Sequence, residues 1–135
     1  MMPGDVVFWP RFQFPDGGDA DKLFVVLNIQ RNNVHLILKT TSRANPYRPV
    51  TEGCHAGKGY YHLPAKKHWF EKATWVVLHD PVECYANDLD DDCVSGRAKH
   101  MATLNQELLR AIVNCFKKAD DYSEHHGWLL EPPKR

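Results

Sequence analysis

Short apolar runs of strand length follow one another through the first two thirds of the chain. Residues 23–29 form a largely apolar run, and residues 34–40 present alternating side chains to two faces. Between them lies a turn at 31–33 with two asparagines, a residue type that tolerates positive φ. This pattern predicts a β-hairpin over residues 23–40.

Other runs rich in strand-forming residues predict further strands, and Pro10 restricts the first of them to a sheet edge or a bulge. These runs cover 5–9, 59–63, 74–79 and 82–85. The segments between them predict loops, because glycine, proline, asparagine and aspartate recur there. The loops cover 11–21, with its turn signal at 15–18, then 41–58, and an acidic loop over 87–92.

One amphipathic helix is predicted near the C-terminus, at about 103–119. Its apolar side chains recur at helical spacing, and Thr103 with Gln106 has the spacing of a capping box. The apolar stripe comprises Leu104, Leu108, Ile112 and the pair Cys115 and Phe116. We expect Trp128-Leu129-Leu130 to dock on the domain before a short tail over 131–135. The order of elements predicts a single, mainly β (α+β) domain over 1–130: a small barrel of five to six strands with one C-terminal helix.

Composition narrows the class of protein. The 135 residues include 17 lysines and arginines and 17 aspartates and glutamates, so the formal net charge is zero. A strongly basic histone-like chain and an acidic disordered chain are therefore excluded. No run of eighteen apolar residues and no leader-like N-terminus is visible, so we expect a cytoplasmic protein without membrane contact. In that compartment the four cysteines (54, 84, 93 and 115) are expected to be free thiols.

The even charge balance hides a local excess of cations. Residues 31–72 carry eight lysines and arginines against two glutamates, together with several histidines, tyrosines and a tryptophan. Cations mixed with aromatic rings suit a single-stranded nucleic acid, which offers phosphates to pair with and bases to stack on. An ordinary solvated surface is the alternative interpretation of the same run.

Several kinds of chemistry lack their motifs in this sequence. Cys-x-x-Cys, His-Glu-x-x-His, the phosphate-binding Gly-x-x-x-x-Gly-Lys-Ser/Thr loop and Gly-x-Ser-x-Gly do not occur. We therefore expect no metal ion and no other cofactor. A nucleophilic Cys54 beside His55 is a separate possibility, since a neighbouring base can lower the pKa of a thiol.

The predicted hairpin brings one further set of polar groups together. Antiparallel pairing places Lys22, before the second strand, near Thr40 and Thr41 at the end of the third. A cation and a hydroxyl could hold a phosphodiester there, and the cation could stabilise negative charge in its cleavage. Lysines and threonines are also common at wet strand ends, so a purely structural role is the alternative.

Three segments together resemble the PemK/MazF family of toxin ribonucleases. They are the opening Pro3-Gly4-Asp5-Val6-Val7-Phe8-Trp9, the stretch Asp16-Gly17-Gly18-Asp19-Ala20-Asp21-Lys22-Leu23-Phe24-Val25-Val26-Leu27, and Leu38-Lys39-Thr40-Thr41-Ser42. The resemblance implies an SH3-like barrel, a homodimer, metal-independent cleavage of single-stranded RNA and inhibition by a cognate antitoxin. The family's catalytic arginine, followed by proline, falls on Lys22-Leu23, and its threonine falls on Thr40 with Thr41 adjacent.

The Arg-Pro pair of that family is absent here, and a lysine is a point charge rather than a bidentate clamp for phosphate. His35 and His55 are the candidate acid or base groups. The candidate RNA-binding residues are Asp19, Arg43, Tyr47, Arg48 and Lys58. Two functions follow as hypotheses: a MazF-like endoribonuclease of a toxin–antitoxin system, or a non-catalytic barrel that binds nucleic acid or a protein partner.

Overall fold

The computed structural model describes residues 1–13 and 19–132, and in this part of the chain it contains eight strands and three α-helices. The strands are β1 (Asp5–Gln13), β2 (Asp19–Val26), β3 (Val34–Thr41), β4 (Gly53–His55), β5 (Tyr60–Leu63), β6 (Thr74–Val77), β7 (Val82–Tyr85) and β8 (Lys99–Thr103). The helices are α1 (Ala86–Ser95), α2 (Gln106–Phe116) and α3 (Glu124–Leu130), with a 3₁₀ turn at Ala56–Lys58. The expected mainly β fold is confirmed, but the described residues contain three α-helices where one C-terminal helix was expected.

All strands join one antiparallel sheet in the order β4-β5-β6-β3-β2-β1-β8. β7 pairs with the first half of β3, next to the place where β6 pairs with its last residues, so β6 and β7 act as one interrupted strand. Asp80, with φ of 52°, lies in the interruption. Among the described residues, β4 and β8 do not pair with each other, so the sheet is not a closed barrel, and it has eight strands instead of the expected five to six.

The hairpin predicted over 23–40 is confirmed. β2 and β3 pair antiparallel, and Arg31 and Val34 exchange two backbone hydrogen bonds of 3.0 and 2.9 Å across the turn. Asn32 and Asn33 supply the positive φ angles of 50° and 64° that this two-residue turn requires. The register matters for the site described below, because it sets which residues face each other at the far end of the hairpin.

Strand β1 is longer than predicted and its proline lies at a bulge. Its pairing with β2 shifts register between Trp9 and Phe12, around Pro10. β1 lies between β2 and β8, so of the two predicted positions for Pro10 the bulge is right and the sheet edge is wrong. Residues at both ends of the predicted loop over 11–21 are in strands; its turn at 15–18 lies outside the described residues.

Helix α2 covers one face of the sheet with the predicted apolar stripe. Leu108, Ile112, Cys115 and Phe116 are all buried there. The predicted N-cap is wrong: Asn105 caps the helix by accepting a 2.8 Å hydrogen bond from the Leu108 amide. An asparagine two residues later serves this purpose equally well, and residues 99–103 were needed for β8, a strand that the sequence pattern did not predict.

The acidic segment predicted as a loop over 87–92 is a helix instead. α1 begins at Ala86, buries Ala86 and Leu89 towards the sheet, and ends before Gly96, which has a φ of 83°. Carboxylates in the first turn, such as Asp88, favour a helix because they lie near the positive end of its dipole. The expected docking of the C-terminal segment is confirmed, since Leu129 of α3 is fully buried.

The expectation of four free thiols is wrong. Cys54 on β4 forms a disulfide with Cys115 on α2, across 61 positions of sequence, while Cys84 and Cys93 are free. The bond joins the short outermost strand β4 to the buried side of α2, a proximity that sequence spacing could not reveal. None of the described helices is long and apolar enough to span a membrane.

Candidate functional site

A cavity of about 750 Å³ opens at the end of the β2–β3 hairpin opposite its turn, near the start of β2 and the end of β3. Residues of β1, β2, β3, β5 and β6 and of the segment after β3 form its wall. The described lining residues are Phe8, Lys22, Leu23, Lys39, Thr40, Thr41, Ser42, Arg43, Arg48, Tyr60, Phe70, Thr74, Val77 and His79. Five of the ten predicted site residues, Lys22, Thr40, Thr41, Arg43 and Arg48, therefore line the same cavity.

The register of the hairpin produces the first part of this arrangement. Phe24 pairs with Lys39, and continuing that register outward places Leu23 beside Thr40 and Lys22 level with Thr41. A hydrogen bond of 2.9 Å from the Thr40 hydroxyl to the Leu23 carbonyl fixes this end of the hairpin. The predicted proximity of the lysine to the two threonines follows from the pairing alone.

The segment over 42–52 contributes the two arginines. It is anchored where the Trp75 indole donates a 2.7 Å hydrogen bond to the Pro49 carbonyl. Arg48 donates from Nη1 to the Arg43 carbonyl, and its guanidinium lies 5.5 Å from the centre of the Tyr60 ring. These contacts hold Arg48 at the cavity although its segment contains no strand or helix.

The cavity is electropositive. The pKa of Lys22 is lowered from its ordinary value, first by burial and then by the positive charges of Lys39, Arg43 and Arg48. No aspartate or glutamate is among its described lining residues. An anion placed here would offset the mutual repulsion of these cations, so the site is suited to phosphate or carboxylate groups.

The hydroxyl groups of the cavity differ in what they can offer a ligand. The only hydrogen of the buried Thr40 hydroxyl is used by the Leu23 carbonyl, so Thr40 cannot also donate to a phosphate oxygen. The Thr41 hydroxyl accepts a 3.3 Å hydrogen bond from the Arg43 amide and keeps its hydrogen for a ligand. Of the two threonines, Thr41 is the better phosphate donor.

The two predicted acid or base histidines lie away from the cavity. His35 is 1% exposed and its pKa is lowered, first by burial and then by the N-terminal amine. It does not line the cavity because it lies near the turn end of β3, paired with Cys84 of β7, whereas the cavity is at the other end of the strand. His55 lies on β4, with Nε2 2.8 Å from the Thr51 carbonyl oxygen, and does not line the cavity.

The remaining predicted RNA-binding residues are dispersed. Tyr47 is 85% exposed on the segment over 42–52, outside the cavity wall. Lys58 lines a different, smaller cavity together with Asp120 and Asp121. Asp19 begins β2, and its side chain lies outside the part of the chain that the structure describes.

Sequence reasoning missed the aromatic part of the cavity. Tyr60 on β5 and His79 after β6 pack edge to face, with ring centres 5.8 Å apart. Gly59, with φ of 82°, permits this approach, since a Cβ there would lie 3.0 Å from the His79 ring. Both residues are far from Lys22 in sequence. They reach the same cavity because β5 pairs with β6 and β6 pairs with β3.

The possibility of a nucleophilic Cys54 is excluded in this structure, because its sulfur is bonded to that of Cys115. Among the described residues, no group of three or more histidine, cysteine, aspartate or glutamate side chains is placed to hold a metal ion. No family model matches the chain, and neither the curated proteins nor the solved structures give a match.

Proposed function

We propose that the chain binds single-stranded RNA through the cationic cavity. The observation that carries this proposal is the convergence of Lys22, Arg43 and Arg48 on one concave site with no described acid in its wall. Arginine and lysine both bind phosphate in proteins, arginine as a bidentate donor and lysine as a point charge. A binding role needs only these cations and a ring surface, all of which are present.

The aromatic residues support a single strand rather than a duplex. Tyr60 and His79 line the cavity beside Arg48, and the exposed Tyr47 lies on the same segment as both arginines. Unpaired bases stack on such rings, whereas the bases of a duplex are already stacked on one another. We therefore place phosphates on the cations and one or more bases against the rings.

Binding is tested by fluorescence anisotropy with a labelled ten-nucleotide RNA at several salt concentrations. The expected result is measurable affinity that falls with salt, and a slope reduced by about 0.7 in Lys22→Gln, which removes one phosphate contact. Lys67→Gln is the matched control, because Lys67 pairs with Glu52 outside the cavity. An RNA affinity that is undetectable at low salt would contradict the proposal.

Metal-independent cleavage of the RNA is the second candidate, consistent with the PemK/MazF resemblance. Its support is that Lys22 and Thr41 share the cavity and that the lowered pKa of Lys22 eases proton exchange by its amine. On this hypothesis the protein is a cytoplasmic homodimer held inactive by an antitoxin. The positions of His35 and His55 argue against cleavage, because neither of these two predicted acid or base groups lies at the cavity.

Cleavage is tested on a long single-stranded RNA in EDTA. Defined fragments from the wild type that disappear in both Lys22→Ala and Thr41→Ala would establish the ribonuclease and its site. Intact RNA with retained binding would leave the chain as a binding module. Size-exclusion chromatography with light scattering tests the dimer in the same preparation.

A further inference from the structure

We propose that the cationic cavity takes the end of an RNA chain, through a terminal phosphomonoester, rather than a phosphodiester within the chain. This inference rests on the proposed RNA binding and specifies the substrate class of the same site. It is carried by two observations: three cations without an acid partner among the described residues lie at one concave site, and a buried nitrogen of one of them has no hydrogen-bond partner.

Some of the cations outside the cavity have an acidic side chain nearby. Arg31 lies 3.2 Å from a carboxylate oxygen of Glu131, and Lys67 lies 2.5 Å from one of Glu52. Lys58 shares its cavity with Asp120 and Asp121. Lys22, Arg43 and Arg48 have no such acid nearby among the described residues, and all three lie at one concave site.

The charge of the site exceeds what one phosphodiester supplies. Lys22, Arg43 and Arg48 are three cationic side chains, and in the described residues none of them has a carboxylate within ion-pair distance. A phosphodiester brings one negative charge, while a terminal phosphomonoester brings about 1.5 to 2 near pH 7 and a third strong acceptor oxygen. The monoester therefore matches this cluster better.

Arg48 contains the donor that most directly requires a ligand. Its Nε is buried and has no hydrogen-bond partner among the described residues, although Nη1 donates to the Arg43 carbonyl. A buried donor without an acceptor is destabilising, and an oxygen of an ionised phosphate would satisfy it. Because the guanidinium also lies over Tyr60, the phosphate would be bound next to a ring that can receive the terminal base.

The cavity is of the right size for such an end group. Its volume of about 750 Å³ falls in the range of sites that enclose one small ligand. Phe8, Leu23, Phe70 and Val77 provide apolar wall on which the sugar and base of a terminal nucleotide can rest. A terminal nucleotide thus fits both the polar and the apolar parts of the cavity.

The experiment compares three RNAs of identical ten-nucleotide sequence in equilibrium binding. One has hydroxyl groups at both ends, one a 5′-phosphate and one a 3′-phosphate. We expect one phosphorylated end to bind about tenfold more tightly than the hydroxyl form, as one additional charge-assisted contact implies. Equal affinities within twofold would overturn the inference while leaving RNA binding intact, and no binding by any of the three would overturn both.

Two variants test whether the preference for a phosphorylated RNA end arises at the cationic cavity. Arg48→Lys keeps the charge but removes the Nε hydrogen, so the ratio between the affinities for the phosphorylated and the hydroxyl form should shrink. Lys67→Gln should keep the full preference. A preference unchanged in Arg48→Lys would overturn the assignment to this cavity. The corresponding nucleoside monophosphate should compete with the phosphorylated RNA, and inorganic phosphate should compete more weakly. If inorganic phosphate competed and the nucleoside monophosphate did not, the role of the apolar wall would be contradicted.

Discussion

The Thr40 hydroxyl donates its hydrogen to the Leu23 carbonyl across the β2–β3 pairing, at 2.9 Å. This bond closes the hairpin at its open end, next to the cationic cavity. It also removes Thr40 from the donors available to a ligand. The threonine that the family resemblance favours as catalytic thus makes a structural hydrogen bond here. Its neighbour Thr41 lines the cavity and keeps a hydroxyl hydrogen that it can donate.

Thr40→Val should therefore reduce stability and spare binding. Valine keeps the shape of the side chain and loses the hydrogen bond, so the free energy of unfolding should fall by about 1 kcal/mol. Urea denaturation measures the loss, and anisotropy with RNA measures the binding. Thr41→Val is the matched control and should show the reverse: weaker RNA binding and a smaller loss of stability, because the bond that it removes, from the Arg43 amide, is exposed and 3.3 Å long. A loss of affinity confined to Thr40→Val would show that Thr40 contacts the ligand after all.

Reduction of the Cys54–Cys115 disulfide should destabilise the domain. The bond closes a long loop, with 61 positions between its ends, and restricts the unfolded chain, so its loss should lower the free energy of unfolding by about 2–4 kcal/mol. Urea denaturation with and without a phosphine reductant measures the difference. Cys54→Ser should show the reduced stability in both conditions and no further response to reductant. A wild type that is indifferent to reductant would contradict the prediction.

Stability should fall on mild acidification. Burial lowers the folded-state pKa of His35 and of His62 below the ordinary value of 6.5. As the pH falls below about 6.5, the unfolded chain therefore binds more protons at these histidines than the folded chain does. Proton binding favours the unfolded state, so the free energy of unfolding decreases. Above that pH the imidazoles are neutral in both states and the effect vanishes.

The measurement is urea denaturation of the wild type and of His35→Gln at pH 7.5 and pH 5.5. The variant lacks one of the two titrating groups, so its loss between the two pH values should be smaller than that of the wild type. Comparing each protein with itself removes any general destabilisation by the substitution. Equal losses in both proteins would show that His35 does not contribute to the pH dependence.

Asn105→Ala should destabilise helix α2. The Asn105 side chain accepts the hydrogen bond from the Leu108 amide at the N-terminus, and losing an N-cap costs about 1 kcal/mol. Asn105→Asp keeps an acceptor and should retain most of the stability, as thermal denaturation can show. Thr103, the cap that the sequence predicted, instead donates a 2.7 Å hydrogen bond to Asp5. If Asn105→Ala left the melting temperature unchanged, the cap would be misassigned.

The sequence by itself determined the elements that depend only on neighbouring residues, namely one hairpin and one amphipathic helix. The hairpin over β2 and β3 was predictable because two asparagines mark its turn and both flanking runs have strand character. The stripe of α2 was predictable because its apolar residues recur at helical spacing and all meet one face of the sheet. The closeness of Lys22 to Thr40 and Thr41 followed from the same hairpin, since pairing register is a property of adjacent segments.

Only the tertiary structure decided what depends on residues distant in sequence. The pairing of β6 with β3 brings Tyr60 and His79 to Lys22, and the packing of α2 on the sheet brings Cys115 to Cys54. The same long-range packing buries His35 away from the cavity. Such contacts depend on how faces of different elements meet, which composition and periodicity do not encode. The sequence therefore determined that Lys22 and the two threonines lie together. The assembled sheet added the positions of the arginines, the rings and the concentration of positive charge that suits the cavity to an anion.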